Sequence, residues 1–489
     1  MALKFGTSGV RGLAVELTDL EVTKFIQSFL KHAVAIMNST DGEQRLFLAD
    51  DYRESSPRIT KAVIYAAQKC GWKVDYVGHL PTPALALCGI KNKSCAIMVT
   101  GSHIPADRNG LKFYLPGGEI LKADEESIIN IYEANDVVME DFTEAGMLRA
   151  GLEGPLCQVY ENENPEGFSQ YVHRYTDFFG VESLAGQKVI LYEHSAVGRK
   201  VIGEILENLG ATVVRKGFSD QFIPVDTEAL TDLERLKEWI LAEGADALVS
   251  TDGDSDRPFV LDEKGDVLRG DELGPLVALA LGIQAIALPV SCNSAVSEMN
   301  QFKEIEWTKI GSPFVISGME EIAARGFQGA IAGYEANGGF LLGTKLEQTG
   351  KILESLPTRD AVLPIVVALK SCKDRGLTLS QLRNTLPQRA THSASIKGIP
   401  TEISEKLSNQ IFSNPETFCD EFMGFVGSKL AKLDTTDGSK LIFKNSEVVF
   451  FRPSGNAPEL RCYTEAVEPT RAKDLSERAM IFLNEYLNS

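Results

Sequence analysis

The sequence predicts an α/β protein of three similar units with mixed, mainly parallel sheets, followed by a C-terminal α+β unit. Three observations carry that reading. Helix-type and strand-type hydrophobic patterns alternate through roughly the first three quarters of the chain. The pattern restarts twice, once before Lys188 and once before Ala285. Each resulting unit holds an apolar strand that ends in a short loop dense in glycine and polar groups: TGSHIPADRNG (100–110), DGDSDRP (252–258) and GYEANGG (333–339). In open α/β sheets, ligands gather outside the carboxyl ends of strands. Three such loops, one per unit, therefore read as three walls of one cleft.

In the first unit, Thr18-Asp19-Leu20-Glu21 has the form of a capping box, and Leu20, Phe25, Ile26, Phe29 and Leu30 follow at helical spacing. Arg45–Asp50 is a strand, and the next helix runs from Ser56-Pro57 to the stop at Gly71. Val74–Val77 and Cys95–Val99 are further strands. The second unit has strands at Lys188–Tyr192, Thr212–Arg215 and Ala247–Ser250. Its helices are Arg199–Leu209 and one opened by a second capping box, Thr231-Asp232-Leu233-Glu234. The third has strands at Ala285–Val290 and Ala330–Ala332 with a helix at Ser317–Arg325 between them. Polar or Gly/Pro-rich segments at Gly151–Gly167, Asp262–Asp271 and Ser380–Gly398 mark the boundaries. The last hundred or so residues carry strands at Glu447–Phe451 and Leu460–Glu465 and helices at Ile403–Phe412 and Thr470–Leu487.

The bulk properties narrow the function. A chain of 489 residues exceeds one compact core and divides into three or four domains. A net charge of −19 argues against a nucleic-acid partner, because phosphate backbones select basic surfaces. A small anionic ligand remains compatible, since a few arginines in a cleft reverse the local field. No apolar stretch is long enough to cross a bilayer, and MALKFGTSGVRG lacks the apolar core of a secretory signal. Eight cysteines without any CxxC pair fit a reduced cytoplasm better than a disulfide framework or zinc site.

The loops hold the chemistry. Cys95–Tyr114 places the Ser102 hydroxyl at the tip of a loop held by two strands, with His103, Asp107, Asn109 and Lys112 close behind. Asp252, Asp254 and Asp256 alternate within five residues; carboxylates so crowded repel unless a cation sits among them, and oxygen ligands favour Mg²⁺ or Ca²⁺. Glu263 falls at the twelfth position of an EF-hand count, but Arg257 stands where that loop demands Gly, and the flanks read as strands. Arg257 beside three acids suits a phosphate gripped by metal and guanidinium together. In Phe5–Gly12, the backbone freed by glycine with Thr7, Ser8 and Arg11 could hold phosphate oxygens, although GK[ST] of a Walker loop is absent. Arg452–Glu465, RPSGNAPELRCYTE, offers Arg452, Ser454, Gly455, Asn456 and Arg461 as a second anion site, stiffened by Pro453 and Pro458. Glu335 and Asn337 stand two apart, and in an extended segment they would point the same way, toward adjacent sugar hydroxyls. Lys309, at a strand end in TKIGS, is a candidate phosphate or base residue.

In their order along the chain, these segments resemble the α-D-phosphohexomutase family, most like its bacterial phosphomannomutase and phosphoglucomutase members. The family's N-terminal loop, TxSHNP-type serine loop, DGDxDR metal loop, GE-x-SG-type sugar loop and RxSGTEPxxRxYxEA loop match five segments between residues 5 and 466. The resemblance implies four domains around a central cleft, at 1–155, 156–262, 263–385 and 386–489. It implies an isomerase that interconverts hexose 1-phosphate and 6-phosphate, with mannose the leading sugar and glucose and glucosamine its rivals. Ser102 would be the phosphoserine, and Asp252, Asp254 and Asp256 would hold Mg²⁺ against its phosphate. Arg11, Arg257 and Lys112 would attend the transferring group, with Lys112, His103 or Lys309 moving protons. Glu335 and Asn337 would read sugar hydroxyls. Thr7, Ser8, Lys309, Arg452, Ser454, Gly455, Asn456 and Arg461 would hold the rest of the substrate. A hexose 1,6-bisphosphate intermediate, a phosphosugar as the only partner, and a cytoplasmic monomer or small homo-oligomer complete the expectation.

This chain departs from the family at Ile104 in the serine loop, at Ala336-Asn337 in the sugar loop and at Asn456-Ala457 in the last loop. The latter two touch substrate recognition. A phosphoserine-dependent phosphatase and a non-catalytic sugar-phosphate sensor are the readings outside the class. The retained Ser102 and aspartates oppose the sensor, and the Arg452–Arg461 clamp opposes a simple phosphatase.

Overall fold

A computed structural model describes residues 3–6, 9–37, 44–135, 137–453 and 459–487. The chain divides into two compact units, Met1–Ala287 with Gly311–Arg383, and Leu288–Ile310 with Asn384–Ser489.

The first unit repeats one motif three times. A buried strand runs into a loop, and the chain returns as the antiparallel neighbour. Cys95–Val99 returns as Arg108–Leu115, Ala247–Thr251 as Pro258–Leu261, and Ile331–Tyr334 as Phe340–Leu342. On its other side each outgoing strand has parallel neighbours. Arg45–Asp50 pairs in parallel with Cys95–Val99 and with Lys73–Tyr76. Lys188–Tyr192 does so with Ala247–Thr251 and Thr212–Lys216. Residues 285–287 do so with Ile331, Ala332 and Gly333. The three signature loops are thus hairpin connections, pinned at both ends by ladder hydrogen bonds, rather than links from strand to helix. In the first sheet, Gly9–Leu13 adds beyond Arg108–Leu115 and brings Gly9 opposite Lys112.

Hydrophobic periodicity accounts for most of the helices. Asp19–Met37 and Ser56–Lys69 cover the first sheet and bury Phe25, Ile26, Phe29, Ile59 and Val63 against Val10, Ile97 and Phe113. Thr18 Oγ1 accepts from Glu21 N at 3.3 Å, half of the expected capping box; the Glu21 carboxylate instead accepts from Tyr132 Oη. The second box does not form. The helix is Leu233–Glu243, and its N-cap is Asp232 at φ 59°, with no side-chain cap. The helix expected at Ser317–Arg325 spans Ser312–Ala324, because Pro313 sits in its first turn, where a missing N–H costs nothing. The boundary expected at Ser380–Gly398 contains the short helix Leu379–Arg383 and a full strand, Ala390–Lys397.

The second unit packs an antiparallel sheet ordered Ala390–Lys397, Glu459–Ala466, Val448–Pro453, Ser439–Phe443 and Leu430–Asp434. Its core joins Leu441, Val449, Phe451, Leu460 and Cys462 to Leu475, Ala479 and Leu483 of the helix Pro469–Leu487. None of the described cysteines forms a disulfide. Among the described residues, no helix is long and apolar enough to cross a membrane.

Two adjacent carboxylates end the strand Arg45–Asp50 and its continuation. Asp50 is a structural hub that accepts from Tyr76 Oη at 2.7 Å and Thr60 Oγ1 at 2.9 Å, with His79 Nδ1 at 2.8 Å. Burial disfavours a charged His79, but the hydrogen bond and charge of Asp50 outweigh it and raise the imidazole pKa. A raised folded-state pKa contributes stability that is complete below the ordinary imidazole range and lost as pH rises through the raised value. His79→Gln is therefore expected to narrow the denaturant midpoint gap between about pH 5 and about pH 9, with its larger loss at the acid end. Urea melts of both proteins at the two pH values check this; an equal loss at both would remove the ion pair from the account.

Candidate active site

The serine loop is built from beneath. Ser102 has φ 55°, a left-handed conformation costly for a residue with a side chain, and it is fully buried rather than exposed at a tip. Its amide donates to Thr100 Oγ1 at 2.7 Å, and Thr100 Oγ1 donates to Asp51 Oδ2 at 2.7 Å. Asp51 also pairs with Arg53, Nε to Oδ2 at 3.1 Å. The Arg53 guanidinium, itself buried, donates to four loop carbonyls: Ser102 at 3.0 Å, Ile104 at 2.7 Å, Pro105 at 2.6 Å and Arg108 at 2.9 Å. A Cβ at Gly101 would lie 2.5 Å from Arg53 Cζ, which is why the TGSH motif takes glycine there. Burial raises the Asp51 pKa and lowers that of Arg53, each opposed by the other's charge.

Against this loop lies DGDSDR. Ser102 Oγ donates to Asp252 Oδ2 at 2.6 Å. Asp252, Asp254 and Asp256 are all buried, and one carboxylate oxygen from each lies within 4.8 Å of the others. Each carboxylate is divided in function. Asp254 Oδ2 accepts from Thr82 Oγ1 at 2.5 Å and from Lys112 Nζ. Asp256 Oδ2 accepts from Lys112 Nζ at 2.6 Å and Arg359 Nε at 3.0 Å. Asp254 Oδ1 and Asp256 Oδ1 are buried with no hydrogen-bond partner. Buried carboxylate oxygens left without donors are costly. Held convergent by their bonded twins, they fit a hard divalent cation that takes oxygen ligands. Glu263, the EF-hand alternative, bonds Ser380 and Thr378 instead.

The electrostatics agree. Burial, then the charges of Asp254 and Asp256, push Asp252 up to about 8. At Asp256 burial opposes ionisation, but Arg359, Lys112 and Arg257 outweigh it and hold the carboxyl well below the usual range. Arg11 is lowered to about 10 by burial and by Arg257 and Arg359, so three guanidiniums share this field. Arg257 Nη1 donates to His103 Nδ1 at 2.8 Å, which fixes the imidazole as a neutral ring with its proton on Nε2. Burial, Arg257 and Arg11 push the same ring far below its ordinary pKa.

The sugar loop differs from expectation. Glu335–Gly339 is a tight turn closed by Gly338 N donating to Glu335 O and Glu335 N to Gly339 O, each 3.0 Å. The two side chains therefore do not project together as in an extended strand. Glu335 turns to Arg359, Oε2 to Nη1 at 3.4 Å, while Asn337 Oδ1 accepts from Gly339 N at 3.0 Å.

In the second unit, Arg452 stands directly opposite Arg461 across the Val448–Pro453 and Glu459–Ala466 ladder. Like charges at opposite positions destabilise a sheet, and here each arginine has a carboxylate beside it, Asp437 at Arg452 and Glu459 3.5 Å from Arg461 Nη2. Asp437 Oδ2 accepts from Arg452 Nε at 2.7 Å and from Ile310 N at 3.0 Å, which fixes Arg452 relative to the backbone beside Lys309. Thr7, Ser8, Ser454, Gly455 and Asn456 lie outside the described residues.

The structure brings together Ser102, His103, Lys112, Arg257 and the three aspartates, with Arg11 and Glu335 in the same field. Sequence reasoning missed Arg53, Arg359 and Asp437. Their available signal was charge at a strand end, at Asp50-Asp51-Tyr52-Arg53 and in the last residues of the strand Leu356–Asp360, and in the hairpin turn around Asp437.

Comparison with known proteins gives three domain matches: phosphoglucomutase/phosphomannomutase α/β/α domain I over residues 2–139, domain II over 169–265 and domain III over 269–390. The chain is 42% identical to a phosphomannomutase of Salmonella muenchen, covering 98% of this chain and 95% of that one. It is 39% identical to a phosphomannomutase of Sinorhizobium fredii, covering 99% of both. The fold matches a crystal structure of a phosphoglucomutase/phosphomannomutase family protein from Burkholderia thailandensis with a TM-score of 0.73 at 18% identity, covering 98% of this chain and 96% of that one.

Two outcomes test the geometry. Asp254→Asn is expected to weaken divalent-cation binding at least about tenfold, the lower end of what loss of even a supporting partner costs. Titration of the resting protein with Mn²⁺, followed by electron paramagnetic resonance, reads it; an unchanged isotherm would dissolve the metal assignment. Arg53→Gln is expected to cost about 3–5 kcal/mol, because it leaves the buried Asp51 charge unpaired. Chemical denaturation measures that loss, and a loss below about 1 kcal/mol would show that the clamp carries little of the loop's stability.

Proposed function

The chain belongs to the phosphoglucomutase/phosphomannomutase family, and we propose that it is a Mg²⁺-dependent phosphohexomutase that interconverts mannose 1-phosphate and mannose 6-phosphate. The observation that carries this is Ser102: a buried hydroxyl hydrogen-bonded to Asp252 inside a cluster of three carboxylates with two unpartnered oxygens. A serine hydrolase would need an imidazole acceptor for its hydroxyl. Here the hydroxyl donates to Asp252 at 2.6 Å, and His103 Nδ1, 3.4 Å from the same hydroxyl, already accepts from Arg257 at 2.8 Å, which suits a phosphoryl carrier instead. The relatives at 42% and 39% identity, both phosphomannomutases, favour mannose over glucose or glucosamine.

In this reading Ser102 Oγ carries the phosphoryl group. The bond from phosphorus to Ser102 Oγ breaks as a bond to the sugar oxygen forms, and the proton of the sugar hydroxyl ends on the released Ser102 Oγ. The product is hexose 1,6-bisphosphate. After the sugar has turned, its other phosphoryl group returns to Ser102. Phosphoryl transfer depends mainly on alignment and neutralisation of charge. Asp252, Asp254 and Asp256 would hold Mg²⁺, which supplies charge neutralisation and Lewis acidity at the phosphate. Lys112, tied to two of those aspartates, keeps the loop's net charge low and its carboxylates aimed. Arg257 and Arg11 face the transferring group. Glu335 reads sugar hydroxyls, the Asn337 Oδ1 being committed to Gly339 N, and Lys309, Arg452 and Arg461 grip the phosphate that stays behind. That second grip is what a phosphatase would not need, since it releases its product after one transfer.

Purified protein should convert mannose 1-phosphate to the 6-phosphate when given Mg²⁺ and a trace of hexose 1,6-bisphosphate, with no inorganic phosphate released. Glucose and glucosamine 1-phosphates run as parallel arms, and faster turnover of either would reassign the sugar. Release of inorganic phosphate alone would replace the mutase with a phosphatase. Ser102→Ala is expected to abolish turnover, lowering kcat by more than about 10³-fold, while the melting temperature stays within a few degrees; near-normal turnover would end Ser102's role.

A further inference from the structure

Arg359 touches two of the three signature loops at once. Its side chain is only 2% exposed. One edge of the guanidinium binds Asp256 Oδ2, from Nε at 3.0 Å and from Nη2 at 2.8 Å. The remaining nitrogen, Nη1, lies 3.4 Å from Glu335 Oε2. The oxygen of Asp256 that accepts no hydrogen bond, Oδ1 with Arg257 Nε 3.7 Å away, is therefore the one Arg359 does not hold. Asp256 and Glu335 are the groups that hold this guanidinium charged, against its burial.

The surroundings are cut to fit this arginine. A Cβ at Gly339 would stand 2.6 Å from Arg359 Cγ, so the second glycine of NGG clears a path for the arginine stem. The strand Leu356–Asp360 that carries Arg359 is fixed on both flanks. Thr358 Oγ1 donates to Glu119 Oε2 at 3.2 Å. Asp360 accepts from Tyr171 Oη at 2.6 Å, from Tyr175 Oη and from Val362 N at 2.9 Å. Three consecutive residues thus tie this strand to the first sheet, to the metal loop and to the helix Glu166–Phe179. A buried arginine with a rigid fork transmits geometry between the groups it binds, which a flexible ammonium does not.

We propose that Arg359 is a positioning residue that sets the metal ligand Asp256 and the sugar-reading Glu335 in fixed register, so that cation affinity and sugar binding are coupled through one guanidinium. The inference rests on the mutase reading for the role of Glu335, but not for the role of Asp256. Its consequence is a division of labour between charge and fork. A lysine at this position can still neutralise Asp256. A single ammonium cannot also reach Glu335 with the same geometry.

The test compares Arg359→Lys with Arg359→Gln, using Mn²⁺ binding to the resting protein and steady-state kinetics with mannose 1-phosphate. Arg359→Gln should weaken Mn²⁺ binding about tenfold, the scale for loss of a partner behind a metal ligand. Arg359→Lys should keep Mn²⁺ affinity within about threefold of wild type, yet raise KM about tenfold with a smaller change in kcat. In the double variant Arg359→Lys with Glu335→Gln, the two KM penalties should fail to add, because both remove one contact. Unchanged Mn²⁺ affinity in Arg359→Gln, unchanged KM in Arg359→Lys, or full additivity would each overturn the coupling. If Arg359→Gln does not fold, the lysine variant alone decides: retained metal affinity with raised KM supports the inference, and parallel loss of both reduces Arg359 to a structural residue. If wild type moves no phosphate on any hexose 1-phosphate, the mutase reading falls. The Mn²⁺ comparison then still decides whether Arg359 governs Asp256.

Discussion

Three carboxylates within 4.8 Å of one another, all buried, are the constraint from which the rest of the first unit follows. Anions so close and so dry cannot all remain charged without cations around them. The protein answers from outside the cluster with Lys112 and Arg359, each on one oxygen of its aspartates. The inner oxygens of Asp254 and Asp256 accept no hydrogen bond and suit a cation. The upward shift of Asp252 expresses its burial first and then the charges of Asp254 and Asp256. Replacing such a network with apolar side chains often stabilises a protein. Its retention here is therefore best explained by what the converging oxygens bind.

The same constraint explains why the catalytic loops sit on hairpins. A link from strand to helix is anchored at one end by sheet hydrogen bonds, whereas Thr100–Asp107 has ladder partners on both sides. Backbone at a left-handed serine stores strain, and that persists only where neighbours over-determine it. Arg53 supplies this with four carbonyl contacts and one carboxylate, all on residues within the first sheet's own domain. Ser102 is thus held by a buried cation below and offered to buried anions above. It lies at a charge boundary, where a group of variable charge such as a phosphoserine changes the balance most.

Much of this was legible because it is written in local patterns. Ser102, Lys112, Arg257 and the three aspartates are contiguous motifs, and the strands behind them are short apolar runs of clear length. The hidden parts are those whose meaning is non-local. Nothing near Arg359 in sequence says that its partners are Asp256, over a hundred positions earlier, and Glu335. The burial of Ser102 was equally invisible, because it depends on a loop of the second sheet. Ala390–Lys397 was missed since Thr391, His392, Ser393 and Ser395 crowd its short apolar face, of which Ala390 and Ile396 pack on the core; it is a strand because Glu459–Ala466 pairs with it at every residue. Asp232 shows the reverse error, a cap motif overridden where the chain enters the helix through a left-handed residue. The co-projection of Glu335 and Asn337 failed for one reason: the period-2 rule holds only in extended backbone, and two glycines had already made the segment a turn.

The two anion grips obey different physics. Around Ser102, cations are pinned by anions on several sides, so position is fixed before any substrate arrives. Across the Arg452–Arg461 pair, like charges face each other in a ladder, each steadied by a carboxylate of its own. Asp437 steadies Arg452 through Nε, and Glu459 lies 3.5 Å from Arg461 Nη2. On the proposed function, a rigid transfer site and a grip that reads charge suit a substrate with two phosphorylatable ends. The transfer geometry must not vary between the two half-reactions, whereas the distal grip must accept a phosphate on either end of the sugar. A clamp that reads charge, and leaves the sugar's hydroxyls to Glu335, tolerates that reversal. A clamp built on the shape of one end would hold one orientation better than the other and slow the return step.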